Sequence, residues 1–404
     1  MIVGNIEFKY KDNAYLITFD EGVTKMTIDD VYLIDLFRQN NIDIDYLDSS
    51  LFELTISAER DTLIIEEITL FEKVVIRSFN NSKASFGLLV IHDISVQITG
   101  AYIDIFRTDC NWVHVSRSLI RSFDFSFNEC ESHNDEGKEF ICGDFLELNY
   151  VTIEKLTVYK SVKELLIKNS KIDRFEIDST KNNSFGFINI TWNTYIEEFS
   201  LAGTIDRLRI KDSIINKLNF KKTFVQQVDN TKSDINMVFM LDVDKIGNKN
   251  QSAWELLYKS AIHDENDALY ANAGYELNQL RNSDQSPFRM LSGNILRATI
   301  GYGYKPYRAI LFSIVSISLF ALIYQYLDLL SHKELYDYSQ VSQIVTHYFD
   351  MWYLSGTAYT TTGFGDIVPT NAITKVLVIF EAMVGVSVLS LFMYSLLHRY
   401  GKKQ

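Results

Sequence analysis

Apolar residues recur between residues 91 and 220 in the pattern apolar-x-x-apolar-x-apolar, mostly with a step of nine or ten residues. Ile91, Ile94 and Val96 form one of the first sets, and turn-forming pairs such as Asn-Ser and Asp-Ser separate several of the sets. Alternation within a set is typical of a short β-strand, and repetition at a fixed period is typical of a stacked solenoid. The pattern therefore predicts a parallel β-solenoid, or β-helix, with its apolar ladder inside, over residues 1–230.

Residues 231–308 carry apolar positions at helical spacing instead. A capping box at Ser252 and Glu255 predicts the start of one helix, and the acidic stretch 264–267 predicts its end. A second apolar stripe continues to about Arg281. This segment is predicted to be a short helical hairpin followed by a juxtamembrane linker.

Two segments near the C-terminus are apolar enough and long enough to cross a bilayer. The first, at 309–330, begins with 19 uncharged residues, and the second, at 372–398, carries only Lys375 and Glu381 in its apolar part. A helix needs about 20 such residues to span the hydrocarbon core. The apolar and aromatic start of the segment 345–370 is too short to span and return. It therefore predicts a pore helix that leads into a loop.

That loop has the sequence Thr-Thr-Thr-Gly-Phe-Gly-Asp-Ile-Val-Pro at residues 360–369. Successive backbone carbonyls, arranged around an axis by several subunits, can replace the hydration shell of K⁺. Such carbonyls point the same way only if ordinary and left-handed torsions alternate, and glycine adopts a positive φ without a Cβ penalty. Gly363 and Gly365 lie where this alternation requires them, and Thr361 adds a hydroxyl oxygen beneath the carbonyls.

Through residues 361–366 the chain resembles the selectivity filter of potassium channels. The resemblance implies that five residues coordinate K⁺ as the permeant ion: Thr361, Thr362, Gly363, Phe364 and Gly365. It also implies that Asp366 forms a negative ring at the outer mouth. One chain supplies one filter strand, so a closed pore implies a homotetramer. Phe364 replaces a commoner tyrosine, which removes a hydroxyl that could tie the filter to the pore helix.

Four residues around the filter are candidate supports or hinges. Thr357 replaces an acid that pairs with Asp366 in some relatives, so inactivation through that pair is expected to be absent. Trp352 is either part of a stiffening aromatic cuff or an interfacial anchor. Gly385 is either the hinge of the inner helix or a small residue that permits close packing. Glu381, an acid inside a span, either forms hydrogen bonds behind the filter or contacts permeating ions.

The ten-residue step equals two five-residue sides, so the N-terminal pattern resembles a degenerate pentapeptide-repeat solenoid. Fusions of such repeats to two-span potassium channels carry a similar helical hairpin and an entry like Gly-Tyr-Gly-x-x-Pro-x-Arg at 301–308. The fold class expected is therefore multidomain, with an N-terminal parallel β-solenoid, a helical linker and an all-α two-transmembrane pore. The solenoid is either a scaffold or a gating sensor, and no gating ligand is identified.

Charge restricts the function and the orientation. The chain has 39 Lys and Arg against 52 Asp and Glu, and all of the acidic excess precedes residue 301. Nucleic acid is therefore not an expected partner of the N-terminal part. Basic residues flank the outer ends of both spans: Lys305, Arg308, Arg399, Lys402 and Lys403. The positive-inside rule predicts a plasma-membrane protein with both termini in the cytoplasm.

The expected function is passive, selective K⁺ conduction with a cytoplasmic domain that regulates gating or assembly. No nucleophile and base pair stands out, so an enzyme is not expected, and neither is an organic cofactor. Two alternatives stay open: a less selective cation pore, and a membrane-tethered scaffold whose pore is vestigial.

Overall fold

The computed structural model divides into two compact units, residues 1–265 and 266–404. It describes residues 5–9, 14–18, 25–41, 53–57, 59–65, 73–77, 84–92, 95–108, 110, 112–125, 145–159, 162–178, 184–283, 285–331, 345–365, 367–369 and 371–401.

The described part of the first unit consists mainly of twenty β-strands and two α-helices. The strands are β1 (Asn5–Lys9), β2 (Ala14–Thr18), β3 (Lys25–Ile28), β4 (Glu53–Ser57), β5 (Glu59–Ile65), β6 (Lys73–Arg77), β7 (Ala84–Ile91), β8 (Ser95–Thr99), β9 (Ala101–Thr108), β10 (Trp112–Ser116), β11 (Leu119–Phe125), β12 (Phe145–Asn149), β13 (Thr152–Val158), β14 (Glu164–Lys168), β15 (Lys171–Asp178), β16 (Ser184–Thr191), β17 (Tyr195–Lys211), β18 (Ile214–Thr231), β19 (Asp234–Phe239) and β20 (Ile246–Asn248). The helices are α1 (Asp30–Gln39) and α2 (Gln251–His263).

Strand pairing confirms the predicted parallel β-solenoid. Among the described strands, β1 and β2 pair antiparallel, and every other pairing is parallel. Strand β10 pairs with β8 and β12, whereas β11 pairs with β9 and β13. Each coil therefore contributes two strands that stack on the equivalent strands of the next coil. Leu208 lies opposite Val228, so one coil corresponds to two of the steps seen in the sequence.

Most described members of the apolar sets line the interior of this solenoid, but Ile105 is exposed because Phe106 takes the inward position in β9. Along β11 the side chains alternate, and Ile120, Phe123 and Phe125 are fully buried. Aromatic rings stack from one coil to the next: the ring centroids of Phe175 and Phe199 lie 4.4 Å apart, and the two rings are almost parallel. Burial of such a ladder supplies the hydrophobic free energy that holds the coils together.

The turn-forming pairs make one corner of the solenoid. Asn169 has a φ of +47°, a left-handed conformation that asparagine tolerates better than most residues. The next residue, Ser170, accepts a hydrogen bond from the backbone N–H of Val151 at 3.1 Å, and so links neighbouring coils. Asp212 and Ser213 occupy the equivalent corner positions, with a φ of +48° at Asp212. The corners thus satisfy backbone groups that the strands leave unpaired.

The solenoid continues past residue 230 and ends beneath a helix. Helix α2 packs on β18 and β19. Its N-cap is Asn250, whose side chain accepts a hydrogen bond from the N–H of Ala253 at 2.9 Å. The predicted capping box of Ser252 and Glu255 is therefore wrong. The Ser252 hydroxyl instead accepts a hydrogen bond from the backbone N–H of Asn230 at 3.0 Å, because it faces the last coil.

The second unit is helical in its described part. Its helices are α3 (Asp267–Ser283), α4 (Pro287–Ile300), α5 (Tyr307–Ser331), α6 (Val345–Tyr359) and α7 (Ala372–Tyr400), with a 3-10 turn (Gly301–Gly303) between α4 and α5. Within α5 and α7, Tyr307–Leu327 and Ala372–Tyr400 are long and apolar enough to cross a membrane. Only 11% and 17% of their most apolar windows are buried, unlike the core helices of a soluble protein. The two apolar helices expected from the sequence are confirmed.

Candidate functional site

The loop between α6 and α7 is tied to the last turn of α6. The carbonyl oxygen of Thr357 accepts hydrogen bonds from the N–H groups of Thr362 and Gly363, at 2.9 and 3.4 Å. The Thr357 hydroxyl donates to the carbonyl oxygen of Leu354 in its own helix. Thr357 therefore contacts the described residues of the loop through its backbone carbonyl oxygen, while its hydroxyl bonds within α6.

Along this loop the backbone φ alternates between positive and negative values. Thr361, Gly363 and Gly365 have φ values of +58°, +54° and +79°, whereas Thr362 and Phe364 between them have negative values. A Cβ added to Gly363 or Gly365 would meet no atom within 4 Å. Glycine is therefore favoured at these two positions by the backbone conformation, and not because atoms of the same chain crowd them.

The left-handed conformation of Thr361 is a feature that the sequence did not reveal. A positive φ is unusual for a β-branched residue, and no local propensity predicts it here. The Thr361 hydroxyl donates to the carbonyl oxygen of Thr360 at 2.7 Å. The consequence is that three alternate residues, and not only the two glycines, share the left-handed conformation that aligned carbonyls require.

Side chains of the loop are exposed in the single chain. Phe364 is 70% exposed, and its ring stacks on that of Tyr353 in α6, with centroids 6.4 Å apart. Phe364 therefore contacts α6 through its ring, since it has no hydroxyl. Asp366, the residue assigned to the outer mouth, lies outside the described residues.

Two further residues fix α6 against its neighbours. The indole N–H of Trp352 donates to the hydroxyl of Ser318 in α5 at 3.3 Å. Gly385 in α7 is buried, and a Cβ built on it would overlap the carbonyl oxygen of Tyr359, where α6 ends. Close packing alone therefore accounts for a glycine at this position, without a bend in α7.

Glu381 lies behind α6, where three helices meet. It is fully buried, and so are Tyr324 of α5 and Ser355 of α6. The Tyr324 hydroxyl donates to Glu381 Oε2 at 2.6 Å, and the Ser355 hydroxyl is hydrogen-bonded to Glu381 Oε1. Ser355 Oγ also lies 2.9 Å from the carbonyl oxygen of Ile317. Glu381 therefore reaches no surface of the chain, and sequence analysis missed both of its side-chain partners.

The C-terminal end of α7 holds the turn that precedes α5. Ser395 Oγ donates to the carbonyl oxygen of Gly303 at 2.9 Å, and Arg399 donates to the carbonyl oxygen of Tyr304 at 3.2 Å. The imidazole ring of His398 packs edge-on against the ring of Tyr304, with centroids 4.8 Å apart. The C-terminal end of α7 is thus bonded directly to the segment that leads into α5.

Helix α3 reaches the same turn. The ring of Tyr270 lies edge-on to that of Tyr304, with centroids 5.5 Å apart. A Cβ built on Gly274 would overlap the Tyr304 ring, so α3 and this ring are in close contact. The Tyr304 side chain consequently lies between α3 and the end of α7.

Basic groups gather around one phenol at the start of α5. Arg297 and Arg308 both donate to the hydroxyl oxygen of Tyr275, at 3.3 and 3.4 Å, and Lys305 Nζ lies 3.5 Å from the centroid of its ring. Burial opposes ionisation of this phenol, but the hydrogen bonds and positive charges of the two arginines outweigh it and lower the pKa of Tyr275. This end of α5 is therefore electropositive.

Comparison with known proteins agrees with the assignment of the second unit. Residues 312–401 match the family model described as an ion channel. The match spans most of α5 together with α6, the loop and α7, and it confirms the resemblance of this part of the chain to an ion channel. No curated protein and no solved structure is significantly similar to the chain.

Proposed function

Because residues 312–401 form an ion-channel region, we propose that the protein conducts K⁺ selectively and passively across the plasma membrane. The observation that carries the proposal is the alternation of backbone hand through Thr361, Gly363 and Gly365. This alternation turns successive carbonyl groups toward one side of the loop, where together they replace the water around a dehydrated cation. The coordinating residues are Thr361 to Gly365, and Asp366 attracts cations at the outer mouth.

The working unit is a homotetramer, because one loop supplies only one quarter of each carbonyl ring. The exposure of the loop in the single chain is consistent with this assembly, since a filter is covered only by ions and by neighbouring subunits. The large exposed apolar surface of α5 and α7 is consistent with contacts to lipid and to the other copies.

Both termini lie in the cytoplasm in this arrangement. The electropositive group of Arg297, Lys305 and Arg308 is found at one end of α5, and Arg399 is found at the corresponding end of α7. Positive charge at these two ends supports a cytoplasmic location for both by the positive-inside rule.

The first unit regulates gating, and the Tyr304 contacts support this part of the proposal. A displacement of α3 would reach the Tyr304 ring and then His398 at the end of α7. The ion-channel match and the solenoid fold together point to a protein that is not an enzyme. The alternative role of the first unit is that of a scaffold for assembly.

Reconstitution into liposomes tests the proposed function. K⁺ uptake driven by a K⁺ gradient should greatly exceed Na⁺ uptake driven by an equal Na⁺ gradient in the same direction. Protein-free liposomes are the control. Equal uptake of K⁺ and Na⁺ would favour the less selective cation pore. No uptake of either ion by correctly assembled protein would favour a scaffold with a vestigial pore.

A further inference from the structure

Three side chains from three different helices meet behind the pore helix α6, with no exposure to solvent. They are Tyr324 of α5, Ser355 of α6 and Glu381 of α7. A carboxyl group in such a place is costly unless its oxygens are hydrogen-bonded, and an ionised one also needs a cation. Among the described residues, Glu381 forms no ion pair, and its two carboxyl oxygens are hydrogen-bonded to these two hydroxyls.

The number of available protons determines which groups donate. The carbonyl oxygen of Ile317 can only accept, and the hydroxyl of Ser355 lies 2.9 Å from it. Ser355 has one proton, so if it donates to Ile317, its oxygen must accept the bond from Glu381 Oε1. Only a protonated carboxyl can donate that bond. The hydroxyl of Tyr324 then donates to Glu381 Oε2, and each contact in this hydrogen-bond network has one donor and one acceptor.

An ionised Glu381 leaves this network incomplete. The single Ser355 proton would have to serve two acceptors, the carboxylate and the Ile317 carbonyl oxygen. One of the two contacts would then lack a proton, and among the described residues no cation pairs with the carboxylate. A neutral acid is therefore the state that fits all three contacts.

We propose that Glu381 is held as a neutral acid and that it is the positioning residue that clamps the pore helix between the two spans. The inference deepens the proposed channel function and rests on it. Ser355 lies in the last turns of α6, shortly before Thr357, whose carbonyl oxygen holds the filter residues Thr362 and Gly363. Phe364 carries no hydroxyl with which to tie the filter to α6. The clamp instead makes α6 itself rigid between α5 and α7, and α6 holds the filter through Thr357.

The variant E381Q separates a neutral from an ionised acid. A glutamine amide donates to Ser355 from its nitrogen and accepts from Tyr324 at its oxygen, as the protonated acid does. Its K⁺ to Na⁺ flux ratio should stay within about twofold of the native value, from neutral to alkaline pH, because each hydrogen bond has a replacement. E381A, Y324F and S355A each remove at least one bond, and each should lower the ratio by about threefold to tenfold.

Ser292→Ala is the matched control for S355A, because the Ser292 hydroxyl is exposed and donates only within α4. Gel filtration in detergent identifies any variant that fails to assemble. If E381Q loses selectivity as severely as E381A, the carboxyl is not a neutral donor and the proposal is overturned.

Infrared difference spectroscopy of native protein against E381Q provides a measurement that does not depend on conduction. The expected result is the carbonyl stretch of a protonated carboxylic acid in the native protein. A carboxylate band in its place overturns the proposal whatever the protein conducts. A protonated-acid band in a protein that passes no K⁺ overturns the proposed function instead, so the two failures can be told apart.

Discussion

Gly385 packs so closely against the carbonyl oxygen of Tyr359, the last residue of α6, that a Cβ built on it would overlap this oxygen. The loop proposed as the filter begins immediately after this carbonyl. Any side chain at position 385 would therefore push on the base of this loop, so close packing and the position of the proposed filter are linked at this glycine.

Gly385→Ala tests whether packing or bending explains the glycine. The added methyl group would overlap the Tyr359 carbonyl, so we expect the assembled protein to lose about 1–3 kcal/mol of stability. Thermal unfolding in detergent measures this loss. Gly356→Ala is the matched control, since Gly356 lies in α6 with open space around it. Unchanged stability together with altered open probability would favour a hinge at Gly385 instead.

Gly363→Ala tests the filter assignment. A Cβ at its φ of +54° costs on the order of 1–2 kcal/mol in each subunit of the proposed tetramer, although no atom of the same chain blocks it. We expect K⁺ to Na⁺ selectivity to be lost while the protein still assembles, as measured by liposome flux and gel filtration. Gly356→Ala again serves as the control. A Gly363→Ala variant with native discrimination would contradict the assignment.

The features that the sequence predicted are those set by local patterns. The solenoid follows from a repeated apolar set, in which Ile120, Phe123 and Phe125 are a buried example. The loop torsions at Gly363 and Gly365 follow from the freedom of glycine to adopt a positive φ. In both cases the signal lies within a few residues of the feature that it predicts.

The features that were missed depend on tertiary contacts. Ser252 fits a capping box, but Asn230 of the last coil binds its hydroxyl, and Asn250 becomes the cap. Tyr324 and Ser355 lie far from Glu381 in sequence and meet it only when three helices pack together. No periodicity or motif encodes such a meeting, so it could be found only in the structure.

A fragment of residues 1–265 should be soluble and rich in β-strand, because its apolar ladder points inward and α2 covers its last coil. A shorter fragment of residues 1–230 lacks β19, β20 and α2, so it exposes the stacked edge. We expect the longer fragment to unfold at the higher temperature, as followed by circular dichroism. A helix-dominated spectrum of the longer fragment, or equal stability of both, would contradict this account.

Ser395→Ala tests whether the turn before α5 transmits regulation to the end of α7. The substitution removes the hydrogen bond from Ser395 to the Gly303 carbonyl oxygen and leaves Tyr304 and His398 in place. Loss of one such bond is worth about 0.5–1.5 kcal/mol in each subunit. We therefore expect open probability, recorded from single channels, to depend less on the presence of residues 1–265 than it does in the native protein.

Ser390→Ala is the control for this experiment, because Ser390 lies on the same helix and its hydroxyl donates only to the Val386 carbonyl oxygen. It should leave the effect of removing residues 1–265 unchanged. If removal of these residues alters open probability equally in the native protein and in Ser395→Ala, regulation does not pass through this bond. If removal has no effect in either protein, the first unit acts as a scaffold, because a regulatory domain must shift the balance between closed and open states.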